Sequence, residues 1–209
     1  MRGWTAAGAA AVDVLLVASP SWAVDVASAF PDTSRVGAVG DTLGTPAVEP
    51  SVDARGLGGG RIFARARVEL PAPPQRVFDL VSDYDRLADF VSAIDTSRVL
   101  GRDSTGVLVR QVGTTKLLLH KTVHMTLRFR PEPPERLWFE IVDGDFRTYA
   151  GCWRFEPDAI GTRLTYDVTF TAPEMLPGLL VRRVVVRDLR TMLREVAAEV
   201  QRRAEAGGP

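Results

Sequence analysis

Residues Val68 to Ile94, VELPAPPQRVFDLVSDYDRLADFVSAI, limit what this chain can fold into more than any other stretch. Upstream, Ile62, Ala64, Ala66, Val68 and Leu70 alternate with Phe63, Arg65, Arg67 and Glu69. That is the period of a half-buried strand with arginines on its other face. Pro71, Pro73 and Pro74 stop the strand, and Pro74 suits a first helical turn because its φ is already fixed near the helical value. Val77, Phe78 and Val81 give a short helical face, which Asp83 and Tyr84 interrupt. Asp85 is placed to cap a second short helix buried through Leu87, Phe90, Val91 and Ile94.

Beyond Ile94 the chain reads as consecutive antiparallel strands, over 96–103, 106–114, 117–130, 135–143, 146–157 and 162–172. Gly106, Pro131 to Pro134, Asp143-Gly144-Asp145 and Ile160-Gly161 supply turn chemistry between them. In the third run Leu117, Leu119, Val123, Met125, Leu127 and Phe129 share a face that Lys121 interrupts, while His120, His124, Arg128 and Arg130 lie opposite. Tyr149, Trp153 and Phe155 share a face, as do Leu164, Tyr166, Val168 and Phe170. One side of the sheet is thus expected to be apolar and aromatic, the other wet. After Pro173 and Pro177 comes a helix of about 28 residues. Val181, Val185, Leu189, Met192, Val196 and Val200 form its apolar stripe, which belongs across the apolar face of the sheet.

The region before residue 61 is of another kind. Arg2, the apolar run Ala6 to Ala18 and the small residues of Ser21-Trp22-Ala23 have the layout of a secretory signal peptide over 1–23, although Asp13 sits inside the run. An Ala-rich leader or a misplaced start codon is the other reading. A cleaved signal would make the protein exported, periplasmic or envelope-associated; otherwise it is cytoplasmic. Residues 24–60, with recurrent prolines and the closing Gly56-Leu57-Gly58-Gly59-Gly60, read as a disordered linker. The folded domain is expected over 61–206.

Composition excludes more than it assigns. The 209-residue chain carries 26 basic and 26 acidic residues, a balance too even to point to nucleic acid. A single cysteine, Cys152, excludes an intrachain disulfide and fits a small buried residue. His120 and His124 have the spacing of a helical zinc pair, but on a strand four residues span roughly 13 Å, too far to share a metal. No nucleophile elbow, Cys–His pair or phosphate-binding loop occurs, so no cofactor or metal is expected. Asp83, Asp85 and Asp89 are read as caps, and Asp143 and Asp145 as turn residues.

A strand, two small helices, a curved antiparallel sheet and a long C-terminal helix gripped by that sheet form an α+β order that resembles the helix-grip superfamily. This SRPBCC or START-like group includes START domains, pollen-allergen-like proteins and polyketide cyclases; the branch most resembled is the coenzyme Q-binding and cyclase/dehydrase one. The resemblance rests on Pro74 to Phe78, Asp83-Tyr84-Asp85 with Phe90, Val109-Arg110-Gln111-Val112-Gly113, Gly144-Asp145-Phe146, Gly151-Cys152-Trp153 and Gly161 to Tyr166. It spans roughly residues 61–203.

The resemblance implies a hydrophobic small molecule, an isoprenoid quinone or lipid, held between sheet and helix. Leu119, Val123, Phe139, Tyr149, Trp153, Tyr166 and Phe170 are its expected sheet wall, and Leu189, Met192 and Val196 its helix wall. Tyr84 and Phe90 are expected at the mouth. Each of these residues also fits a dry core. Either Arg110 or Gln111 must point inward, where it can orient a ligand carbonyl or hydroxyl; the sequence leaves the phase open. Arg183, Arg187, Arg190 and Arg194 lie along one face of the long helix, fitting either a solvated face or contact with anionic membrane lipids. Three functions are therefore carried forward: a non-catalytic carrier of a hydrophobic molecule, an aromatase/cyclase-like enzyme acting on a polyketide, and a protein-interaction module resembling an inhibitor of ribosome subunit association.

Overall fold

In a computed structural model of the chain, the structure describes residues 49–115, 121–172 and 177–206. The expected signal peptide lies outside the described residues. Eight antiparallel strands form one sheet: β1 (Ser51–Gly58), β2 (Arg61–Leu70), β3 (Ile94–Asp103), β4 (Gly106–Thr115), β5 (Lys121–Glu132), β6 (Arg136–Gly144), β7 (Tyr149–Asp158) and β8 (Gly161–Thr171). Their order is β1-β2-β8-β7-β6-β5-β4-β3. Helix α1 (Pro74–Ser82) and a 3-10 helix (Tyr84–Asp89) carry the chain from β2 to the far edge at β3. The strands then return one by one to β8, which pairs with β2, and α2 (Gly178–Ala206) completes the fold. Bulges at Gly56/Gly58, Ile94/Thr96, Val99/Gly101 and Thr126/Leu127 bend the strands that contain them.

The expected strands and long helix are present with ends shifted by a few residues, the first residues of the expected 117–130 run lying outside the described residues, and two readings change. Residues 51–58 are not linker. They form β1, because Val52 and Ala54 turn toward the core while Gly58, Gly59 and Gly60, at φ 84°, 58° and 73°, make the left-handed turn into β2. The second short helix is a single 3-10 segment that ends before Phe90, so Ile94 belongs to β3. Asp85 does not cap it; its carboxylate accepts the Val99 N–H at 2.8 Å and ties the segment to β3. Asp83 takes the cap position without a side-chain hydrogen bond, and Asp89 pairs with Arg86 at 3.2 Å.

The inner face of the sheet tapers. One row across it reads Phe139, Gly151, Val168, Ala64, Ala54, and the next reads Leu137, Trp153, Tyr166, Ala66, Val52. Large side chains sit over β6 and β7, and small ones over β2 and β1. Helix α2 packs against β2 and β1, where Ala64 and Ala66 are fully buried. Leu193 and Val181 are completely enclosed on its inner side, each worth roughly 1.5–3 kcal/mol as buried aliphatics. Having leaned onto the alanine end, the helix leaves space over the aromatic end.

Candidate functional site

That space is a cavity of about 220 Å³ between α2, α1, the 3-10 helix and strands β3 to β8. Its floor is aromatic. Phe139 stacks on Tyr166 with ring centroids 5.4 Å apart and planes 10° apart, and Trp153 lies 4.4 Å from Tyr166. Gly151 is what allows Phe139 to lie there: a Cβ at this position would come within 2.5 Å of the Phe139 ring tip and 2.0 Å of the Asp167 carbonyl oxygen. Leu189, Met192 and Val196 of α2 form the roof.

Polar groups are few. Gln111 faces inward because the β4–β5 ladder sets it opposite Met125, whose side chain is on the apolar face; Arg110 is exposed. The Gln111 Nε2 donates to Ser97 Oγ at 3.4 Å, a long bond between two buried side chains. The hydroxyls of Tyr149 and Tyr166 are hydrogen-bonded at 2.7 Å. Burial raises the pKa of both phenols, and the neighbouring Tyr149 adds to the effect on Tyr166. Asp188 lies at the rim, part-exposed and paired with Arg187 at 2.8 Å. The walls can therefore solvate a flat apolar body and donate hydrogen bonds to it. Among the described residues no group of His, Cys, Asp and Glu could hold a metal ion, and no helix is long and apolar enough to cross a membrane.

Of the residues singled out by sequence, Gln111, Phe139, Tyr149, Trp153, Tyr166, Leu189, Met192 and Val196 line the cavity together. Four stand back from it. Tyr84 lies behind Phe129, ring centroids 4.7 Å apart, with its hydroxyl buried and without a partner among the described residues and its pKa pushed up to about 12 by burial. Phe90 sits under Arg203, whose guanidinium carbon is 6.0 Å from the ring centroid. Phe170 packs on Phe146 at 5.9 Å, and Val123 is half-buried farther along β5. Leu119 and His120 lie outside the described residues, and His124 is exposed. Met125, Leu127 and Phe129 belong to the wall although the sequence marks them only as one strand face; the same alternation carries them there. Val81, Leu87, Val91 and Asp188 also line the cavity; only the crossing of helices over the sheet brings them there.

The arginines of α2 are partly neutralised. Glu49 binds Arg194 at 2.7 Å and approaches Arg190 at 3.6 Å, while Arg183 is exposed with no carboxylate partner among the described residues. The outer face of the sheet holds a centre that the alternation pattern concealed. Asp167 is fully buried there, bonded by Arg65 at 2.6 Å and Arg154 at 2.7 Å, beside the enclosed Cys152, whose thiol is pushed up to about 12 by burial.

Comparison with known proteins agrees with this geometry. No curated protein matches the chain. A START superfamily protein from Mycobacterium smegmatis superposes with a TM-score of 0.61 at 16% identity, over 68% of this chain and 99% of that one. The STAR-related lipid transfer protein from Xanthomonas axonopodis gives 0.58 at 15%, over 77% and 98%. The Zhui aromatase/cyclase from a Streptomyces species gives 0.60 at 19%, over 75% and 100%. At these identities the superpositions establish the helix-grip fold. Residues 70–197, more than half of the chain, match the family described as polyketide cyclase / dehydrase and lipid transport, and the chain belongs to that family.

Proposed function

We propose that the protein binds and carries a hydrophobic small molecule without transforming it. The observation that carries this reading is the cavity under α2, apolar but for one amide, one indole N–H, two mutually bonded phenols and a rim carboxylate. A volume of about 220 Å³ suits a ring system or a short chain, being below the range of roughly 300–1,000 Å³ typical of sites for drug-sized ligands. An isoprenoid quinone or lipid would place its ring or first few carbons inside and leave the remainder outside. Similarity to a lipid transfer protein and membership of a family named partly for lipid transport support the reading.

A cyclase needs an acid and a base inside the pocket. The described lining offers phenols that hold their protons and one rim carboxylate already paired with Arg187, which supplies donors and no unpaired base. Carriage therefore stands ahead of catalysis. An exposed Arg183 on α2 gives a carrier one point of attraction to anionic lipid headgroups. The test is organic extraction of the purified full chain followed by mass spectrometry, with re-binding of whatever is recovered. A stoichiometric apolar ligand is expected; an empty extract together with no uptake of any apolar probe would overturn the reading.

A further inference from the structure

The Tyr149–Tyr166 pair has a proton to spare. Two hydroxyls carry two protons, and the single hydrogen bond between them uses one. Neither hydroxyl has another hydrogen-bond partner among the described residues. The rings packed around them, Phe139 at 5.4 Å and Trp153 at 4.4 Å from Tyr166 and Phe146 at 5.4 Å from Tyr149, present no oxygen. Both phenols remain protonated at neutral pH because burial raises them. Tyr166 is buried and Tyr149 half-buried, and donors so enclosed are ordinarily paired, so a wall with an unmatched proton is incomplete until something accepts it. The charge of the wall narrows the choice further. Asp188 is the only charged residue among the described lining, so a carboxylate ligand meets no cation and loses its hydration.

Building on the carrier reading, we infer that the cavity selects flat, uncharged carbonyl compounds, whose oxygen accepts the second proton of the Tyr149–Tyr166 pair, over hydrocarbons and carboxylates of the same shape. The stacked floor of Phe139 and Tyr166 fits a planar conjugated body, and the pair sits at the edge of that floor. A site with a built-in polar group rejects the analogue that leaves it unpaired, which makes the pair a discriminating element beyond its packing.

The probes are 2-acetonaphthone, 2-ethylnaphthalene and 2-naphthoate, titrated calorimetrically into the full chain at neutral pH. The ketone is expected to bind about fivefold more tightly than the hydrocarbon, the worth of one neutral hydrogen bond. Naphthoate is expected to bind at least about tenfold more weakly than the ketone. Either Tyr149→Phe or Tyr166→Phe alone leaves one hydroxyl whose only proton is then free for the ligand, so the preference for ketone over hydrocarbon persists in each. The double variant Y149F/Y166F loses it, and the ratio falls to about one. Equal binding of ketone and hydrocarbon by the unmodified chain overturns the inference while leaving the carrier reading intact. So does binding of naphthoate as tight as that of the ketone, or a preference that survives in a folded double variant. Failure of all three probes to bind overturns the inference, and the carrier reading falls with it only if the organic extract is also empty and no other apolar probe is taken up. The ranking on the unmodified chain decides the matter even if the double variant does not fold.

Discussion

The two ends of the sheet's inner face solve opposite problems with neighbouring residues of the same rows. Over β1 and β2 the side chains are Ala54, Ala64 and Ala66, and α2 lies directly on them. Over β6, β7 and β8 the rows continue as Phe139, Trp153 and Tyr166, and there the helix stands off and a cavity remains. The small residues are thus as much a part of the site as the large ones. By letting the helix down at one end they tilt it up at the other, and the aromatic side chains occupy the gap without filling it.

The same kind of substitution is therefore expected to have opposite consequences at the two ends. Ala64→Leu, at a position with no exposure beneath α2, is expected to cost about 3 kcal/mol in chemical denaturation, the upper part of the usual range for overpacking. A loss under about 1 kcal/mol would show that the helix is not seated there. Alkali should act mainly on the aromatic end. All three tyrosines, Tyr84, Tyr149 and Tyr166, have raised pKa values in the fold, so above pH 10 the unfolded chain gives up its phenolic protons first and gains stability relative to the native state. On the alkaline side folding stability should begin to fall above about pH 9, by about 1.4 kcal/mol per pH unit for Cys152, and fall by about a further 1.4 kcal/mol per pH unit for each tyrosine above about pH 10. Denaturation midpoints on either side of that pH check this, and Y149F/Y166F should flatten the decline.

At the cavity roof, Val196→Phe adds bulk where there is room. Stability should stay within about 1 kcal/mol of the parent, while affinity for apolar probes falls about tenfold. A destabilisation equal to that of Ala64→Leu would mean that the two ends are packed alike. The smallest effect concerns a residue at neither end. Hydrogen bonds from Arg202, with Arg203 assisting against the cost of burial, hold Glu199 at about 2 rather than 4.5. Its contribution is present above pH 4.5 and lost as pH falls toward 2, so Glu199→Gln should flatten the acid limb and cost under about 1 kcal/mol at pH 7.

The alternation of β2, β5, β7 and β8 was legible because a strand's period is two and one face was uniformly apolar. The α2 stripe was legible for the corresponding reason at the helical period. Half-hidden elements were less so. β1 escaped notice because glycine and proline dominate its surroundings, and its inward residues, Val52 and Ala54, are too few and small to announce a strand. Asp167 escaped for a different reason. It sits in phase with wet-face residues, and nothing local says that Arg65 and Arg154 will close over it.

By itself, the sequence determined the succession of strands from β2 onward, the long helix and the side of the sheet that is apolar, because these depend on residue periodicity within single segments. Only the tertiary structure decided that Gln111 rather than Arg110 points inward, that Tyr84, Phe90 and Phe170 stand behind the wall while Met125, Leu127 and Phe129 form it, and that a cavity survives between sheet and helix. Those facts depend on cross-strand register and on where α2 comes to rest. Both are set by contacts between residues far apart in the chain.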